Sequence, residues 1–301
     1  MNGIFIIDKP AGITSHDVVA KVRRILKIKR VGHTGTLDPF ATGVMVILVG
    51  QATRLAQFID KDEKEYEALV RFGFETDTGD RTGLRRRTSG TPKEEPVSRF
   101  AHVAWDKVFD EFLGETEQVP PMFSAKKVEG KKLYEHARKG ETIERRSVKV
   151  TIHELQILGS ALRTSNSELR LRVICSAGTY IRTLAEDIGR KVGTFAHLSE
   201  LRRTRAGKFT IEQSLTLEQL ENLDNPDSAL ISMNEAVSHL PEFALAVDRI
   251  EKTKNGLSTR VSQDGFKDGD TLRMTDISGN VIAIGVYKEE ERSIHPTVVL
   301  V

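Results

Sequence analysis

Twelve residues, Gly32-His33-Thr34-Gly35-Thr36-Leu37-Asp38-Pro39-Phe40-Ala41-Thr42-Gly43, set one carboxylate among three glycines, three threonines and a histidine. Glycine permits positive φ and close backbone approach. Pro39 biases the residue before it toward an extended backbone, so the Asp38 carboxylate is held on a stiff turn. A single carboxylate names no reaction, and the same residues suit a threonine-capped turn ahead of the buried strand Val44–Val49. A second acidic motif, Asp77-Thr78-Gly79, spells the aspartic-protease triplet. That chemistry shares one proton between two aspartates, and the apolar strand expected before the triplet is missing.

Metal and disulfide chemistry find little support. The single Cys175 excludes an intramolecular disulfide and fits a reducing compartment, and no Cys/His pair shows metal spacing. The eight histidines never fall three or four residues apart, which removes a helical zinc pair. No metal and no cofactor are expected.

The elements that must position Asp38 follow from periodicity. Gly3 to Ile7 reads as a short strand with Lys9-Pro10-Ala11-Gly12 as its turn. Ser15 is expected to cap a helix in which Val18, Val19, Val22, Ile25 and Leu26 recur at helical spacing. The Asp38 turn follows a short basic connection. Beyond the Val44–Val49 strand, Ala52, Leu55, Ala56 and Ile59 predict a second amphipathic helix. In Glu65–Phe72 the period of two puts Tyr66, Ala68, Val70 and Phe72 on one apolar side of a strand. Leu169–Val173 alternates as another strand. The helix after it buries Ile181, Leu184, Ala185, Ile188 and Val192, which leaves Arg182 near its amino end, where the helix dipole disfavours a cation. Arg85-Arg86-Arg87 to Pro96 reads as a surface loop.

At 301 residues the chain is long enough for one large domain or for a large and a small one. Its acid-rich helical connection over 216–241 contains Pro226 and Pro241 and marks a boundary, giving domains 1–240 and 241–301. Beyond it, Asp270–Met274, Val281–Tyr287 and Thr297–Val301 read as short strands of a small β domain. Net charge is only +2, yet residues 121–150 carry nine Lys/Arg against four Glu, and residues 212–251 carry nine acidic residues and one arginine. Such asymmetry suits a polyanion binder with one working face. The Ile4–Ile7 run is too short for a signal or a membrane span, so no membrane association and a cytoplasmic location are expected.

The Gly32–Gly43 motif resembles the active-site loop of the TruB-type tRNA pseudouridine synthases, with Asp38 at the position of the catalytic aspartate. Lys9–Gly12, Tyr66, Thr76-Asp77-Thr78-Gly79-Asp80, Pro120–Lys126, Gly178-Thr179-Tyr180-Ile181-Arg182 and Leu201-Arg202-Arg203 follow the same family's order, so the resemblance covers residues 1 to about 215. One segment departs from it. Many relatives have a short apolar strand after the glycine matching Gly83, where this chain runs into three arginines.

The resemblance implies an α+β fold: a mixed, largely antiparallel pseudouridine-synthase sheet, a thumb-like RNA-binding insertion at about 121–150, and a C-terminal PUA-type domain. It implies isomerisation of uridine 55 in the TΨC loop, with the tRNA T-arm as partner and the protein expected as a monomer. Asp38 is then the nucleophile. Arg182 is its salt-bridge partner, which keeps the carboxylate ionised in a dry pocket where burial alone would neutralise it. His33 is the wedge that replaces the flipped base, Tyr66 the stacking platform, and Tyr180 and Leu201 the pocket wall, with Lys9 and Asp80 supporting the site. Attack at the sugar C1′, attack at C6 of the base and a glycal route all remain open. A non-catalytic RNA-binding protein is the main alternative, and an assay for pseudouridine separates the two.

Overall fold

The central strand of the molecule is the most apolar one. β3 (Thr42–Val49) carries apolar side chains at every position from Val44 to Val49 and is buried on both faces. A strand so placed needs partners on both edges, and three strands supply them. β1 (Gly3–Lys9) pairs antiparallel along one edge, Gly3 opposite Val49 and Lys9 opposite Gly43. The other edge is shared: β2 (Val31–Thr34) pairs with the C-terminal half of β3, and β10 (Ala196–Ala206) pairs in parallel with only Thr42 and Gly43. The Asp38 loop leaves β2 and rejoins β3 where these two neighbours meet.

The structure, a computed structural model, describes residues 1–59, 63–86, 100, 102–124, 126–128, 130–137, 139–159, 167–261 and 265–300. Among these, β4 (Lys64–Phe72), β5 (Gly114–Gln118), β8 (Val148–Ile157) and β9 (Glu168–Cys175) complete the sheet in the order β1-β3-β10-β4-β9-β8-β5, with β11 (Phe209–Thr210) appended to β10. Two short strands, β6 (Lys127–Val128) and β7 (Lys131–Lys132), form a separate hairpin in the basic segment. The chain is α+β, as expected.

Helices cover this sheet. α1 (Ser15–Leu26) packs Val18, Val19 and Val22 against Phe5, Ile7 and Met45. Its cap is Thr14, not Ser15: the Thr14 hydroxyl accepts from the Asp17 N–H at 3.1 Å and the Asp17 carboxylate accepts from the Thr14 N–H at 2.8 Å, a reciprocal box that satisfies two orphan donors. The helix expected over 52–59 is a 3₁₀ turn (Gly50–Leu55) followed by the short α2 (Ala56–Ile59), which still buries Ala52, Leu55 and Ile59. α3 (Trp105–Asp110) and the short α4 (Leu133–Ala137) precede α5 (Ile181–Lys191), which buries Ile181, Leu184, Ala185 and Ile188 as its spacing predicts. Val192 is only partly buried and caps the helix.

The acid-rich connection forms α6 (Leu217–Glu221) and α7 (Met233–Ala236), and it is tied to the first sheet by reciprocal Ile4–Ile231 backbone bonds of 2.9 Å. A five-stranded sheet follows, from β12 (Glu242–Ala244), β13 (Thr259–Arg260), β14 (Thr271–Thr275), β15 (Val281–Lys288) and β16 (Ser293–Val299), with α8 (Val247–Lys254) between its first two strands. Val281, Ile284, Val298 and Leu300 from this sheet share a core with Ile4, Val46 and Leu48 of the first. The first two residues of the tri-arginine segment are exposed, as a surface loop predicts, and are also engaged by the fold. Arg85 bridges to Thr76 and lies 4.4 Å over the Phe74 ring, while Arg86 pairs with Glu75 at 3.4 Å. Arg87 to Pro96 lies outside the described residues.

Candidate active site

Asp38 stands at the wall of a cavity of about 270 Å³ whose lining includes Tyr66, Tyr180, Arg182 and Leu201. Four of the residues singled out around Asp38 thus converge from three separate elements. Tyr66 comes from β4, where it faces Val173 of β9 on one side and Arg203 of β10 on the other. Leu201 comes from β10. Tyr180 and Arg182 open α5, and the Tyr180 backbone N–H is held by the Gln118 side chain at 2.9 Å.

The Asp38–Arg182 contact is bidentate. Nε lies 2.9 Å from Oδ2, and Nη2 donates to Oδ1 at 3.1 Å. Nη1 donates to the Thr78 carbonyl and Nη2 to the Phe123 carbonyl, each at 2.7 Å, so the fork is fixed from three directions. The Arg182 side chain is 6% exposed while the Asp38 side chain keeps 30%, a window that opens toward the cavity. An arginine at a helix amino end is thereby stabilised by its partner and by two carbonyls rather than by solvent.

Burial pushes the Asp38 carboxyl above its ordinary range; Arg182 opposes the rise, Asp80 adds to it and Lys9 counters it. Asp80 is itself held rigidly. Its Oδ1 accepts from the Thr82 N–H at 2.8 Å, the Thr82 hydroxyl at 2.6 Å and the Thr78 hydroxyl at 3.0 Å, leaving Oδ2 3.9 Å from Arg182. Asp77 caps the same turn by accepting from the Leu84 N–H at 2.7 Å, which gives it a structural occupation in place of protease chemistry.

The loop that carries Asp38 is anchored by buried polar side chains. Lys9, fully buried, donates to the carbonyls of Ala41 at 2.7 Å, Pro10 at 3.0 Å and Pro39 at 3.3 Å. Burial lowers its pKa to about 8, with the Asp38 charge resisting the fall. Ser15, freed from capping, bonds both backbone groups of Leu37, at 2.9 and 3.0 Å. Burial raises both cavity tyrosines, Tyr66 and Tyr180, above the ordinary phenol range.

His33 is the exception among the expected residues. It lies on β2 outside the cavity lining, with its Nε2 3.3 Å from the Thr36 hydroxyl and its ring edge-on to His16 at 5.6 Å. Gly35 and Thr36 do line the cavity, so His33 stands two residues before its rim.

The structure adds residues that sequence reasoning missed as site members. Lys64 and Lys126 line the same cavity, as does Arg203, whose Nε donates to the Val44 carbonyl at 2.7 Å and Nη2 to the Gly35 carbonyl at 2.8 Å. The signal was present in strand alternation. Leu201 and Arg203 share one side of β10, while Arg202 turns to the other and forms a bidentate pair with Asp8 at 2.7 and 3.1 Å. Likewise Lys64 shares its side of β4 with Tyr66.

Comparisons with known proteins agree with this geometry. Residues 23–181 match the model of the TruB family pseudouridylate synthase N-terminal domain, and residues 182–238 match that of the tRNA pseudouridylate synthase B C-terminal domain. A tRNA pseudouridine synthase B of Bacillus cereus is 45% identical over 262 residues, covering 85% of this chain and 84% of the relative. One of Solibacter usitatus is 44% identical over the whole of both chains. Among solved structures, an H/ACA ribonucleoprotein bound to a substrate RNA containing 2′-deoxyuridine gives a TM-score of 0.72 at 26% identity, covering 99% of this chain and 85% of that one. With the Asp38 motif, the sheet and both domain models in agreement, the chain belongs to the TruB family of pseudouridylate synthases.

Proposed function

We propose that this chain isomerises uridine 55 in the TΨC loop of tRNA to pseudouridine, with Asp38 as nucleophile. The observation that carries the proposal is the bidentate Asp38–Arg182 pair at the wall of a cavity flanked by Tyr66. The reaction breaks the N1–C1′ bond, turns the base and joins C5 to C1′, so its net chemistry needs no oxidant, reductant or group donor. It needs a carboxylate that stays ionised when RNA closes the cavity. Burial works against that form, and the guanidinium fork opposes the effect of burial.

A uridine stacked in a folded RNA must leave its stack to reach Asp38, at a cost of about a few kcal/mol. The cavity, at the small end for ligand sites, suits one nucleoside. In this reading Tyr66 stacks on the flipped base, Tyr180 and Leu201 close its edges, and His33 takes the vacated place in the RNA stack. Asp80 holds Arg182, and Lys9 holds the loop. The domains divide at about residue 240. The basic segment 121–150 closes over the T-arm, and the five-stranded sheet serves as a PUA-type RNA-binding module. The enzyme acts as a cytoplasmic monomer.

The test is Asp38→Asn, which nearly preserves shape and removes the nucleophilic anion. The variant is expected to fold, bind unmodified tRNA and form no pseudouridine at position 55. Turnover by folded Asp38→Asn would show that another residue is the nucleophile. If the parent forms no pseudouridine on unmodified tRNA, the non-catalytic RNA-binding reading replaces this one.

A further inference from the structure

Arg203 is the largest fully buried side chain among the described residues, only 1% exposed. A buried cation is costly unless it is well compensated, and the usual compensation is a carboxylate. Among the described residues Arg203 instead donates to two backbone carbonyls, Gly35 at 2.8 Å and Val44 at 2.7 Å. Those carbonyls bracket the Asp38 loop: Gly35 follows the last residue of β2, and Val44 is the third residue of β3. One planar guanidinium therefore spans the mouth of the loop.

The same group reaches the opposite wall. Arg203 is the register partner of Tyr66 between β10 and β4, and the two residues line the same cavity. The backbone geometry makes the span short. Gly43 adopts φ +101°, and a Cβ there would stand 2.1 Å from the Arg203 carbonyl, so β3 approaches β10 as only glycine allows. Lys9 and Ser15 hold the inner part of the loop, at Pro39, Ala41 and Leu37.

We propose that Arg203 is a positioning residue for the reaction, a strut that fixes the ends of the Asp38 loop against the Tyr66 wall and so sets the distance between nucleophile and base platform. The proposal rests on the reading of this cavity as the uridine-isomerising site. Lysine is a poor substitute for the strut, because its donors all radiate from one nitrogen, whereas the guanidinium reaches the two carbonyls from separate nitrogens held in one plane. Arg203→Lys should let the loop mouth relax, and a displacement of roughly 1 Å at the carboxylate costs on the order of 100-fold in rate.

The experiment is single-turnover pseudouridine formation at saturating enzyme, on unmodified tRNA, for the parent, Arg203→Lys and Arg203→Met, across pH. Arg203→Met removes both charge and fork; if it fails to fold, Arg203→Lys decides alone. The expected result is a rate constant about 100-fold lower at full amplitude, with tRNA affinity and the acid limb of the pH profile unchanged. A reduced amplitude at the parental rate constant would mean that Arg203 only stabilises the fold, and overturns the proposal. So would an unchanged rate constant, or a slower reaction whose acid limb moves upward, which would make Arg203 part of the charge balance of Asp38. Parental turnover is the control that separates this result from failure of the functional reading itself.

Discussion

Replacing Arg182 with Met keeps most of the side-chain volume and deletes the cation that holds Asp38 ionised. Two charges about 3 Å apart at an effective dielectric of ~20 interact by roughly 5 kcal/mol. Asp38 retains a 30% exposed window, through which water recovers part of that. Loss of about 3 kcal/mol is the resulting expectation, the low end of what breaking a buried pair costs. The direction follows from charge: burial already raises Asp38, and removal of Arg182 leaves Asp80 as a neighbouring anion facing the emptied slot. The active form is the deprotonated one, so activity is lost as pH falls through this pKa. In Arg182→Met the acid limb of kcat/KM should therefore move to higher pH, and about 3 kcal/mol of lost interaction lowers the deprotonated fraction, and turnover with it, by about 100-fold at pH values below both limbs. Arg182→Lys keeps the charge and loses the fork, so its limb should move less. The assay follows tritium released from C5 of tRNA uridine, since the new C5–C1′ bond displaces that hydrogen, alongside melting temperature and tRNA binding. A folded, tRNA-binding Arg182→Met with an unmoved acid limb would refute the argument.

Lys9, lowered to about 8, is charged below that pH and neutral above it, so if the ammonium is what holds the loop carbonyls, turnover should decline as pH rises through about 8. Lys9→Met should be slower by about 10-fold or more and lack that alkaline limb; an identical limb in both proteins would assign it to another group. The stability sign is opposite: the unfolded lysine holds its proton to about 10.5, so between 8 and 10.5 this group makes the fold more stable as pH rises, a trend Lys9→Met should lose in thermal melts. Neutralising Lys126, Lys127, Lys131 and Lys132 together should weaken tRNA binding and lower the slope of log affinity against log salt by roughly 0.7–0.9 for each phosphate that these lysines neutralise in the parent. An unchanged slope would remove this segment from the interface.

How much of this was legible in the sequence depends on the range of the interaction. The β3 run, the burial of Tyr66 on one side of β4 and the apolar face of α5 are local period effects, because side chains two apart on a strand or three to four apart on a helix share a side whatever the rest of the chain does. The Asp38 motif was equally legible, since glycine frees the backbone at its own position and proline restricts it there and at the residue before. Local rules failed where a competing partner lay far along the chain. Ser15 looks like a cap, yet its hydroxyl serves Leu37, 22 residues away, and Thr14 caps instead. The Gly32–Thr34 end of the motif looks like a turn but pairs with β3 as a strand.

Residue order alone was enough for the long strands and helices and, through the succession of motifs, for the family. The family resemblance pointed to Arg182 and Lys9, but Arg203, and how each of the three cations is held, could be read only from the folded chain. Arg182 and Arg203 lie 144 and 168 residues from Asp38 and Gly35, and Lys9 reaches Ala41 across 32. Strand alternation separates Arg202 from Arg203, but that Arg202 meets Asp8 while Arg203 meets the loop depends on how β10 is seated between β3 and β4. The physical reason is that buried charges are stable only where several chain segments converge to satisfy them, and convergence is a property of the folded sheet rather than of any one stretch.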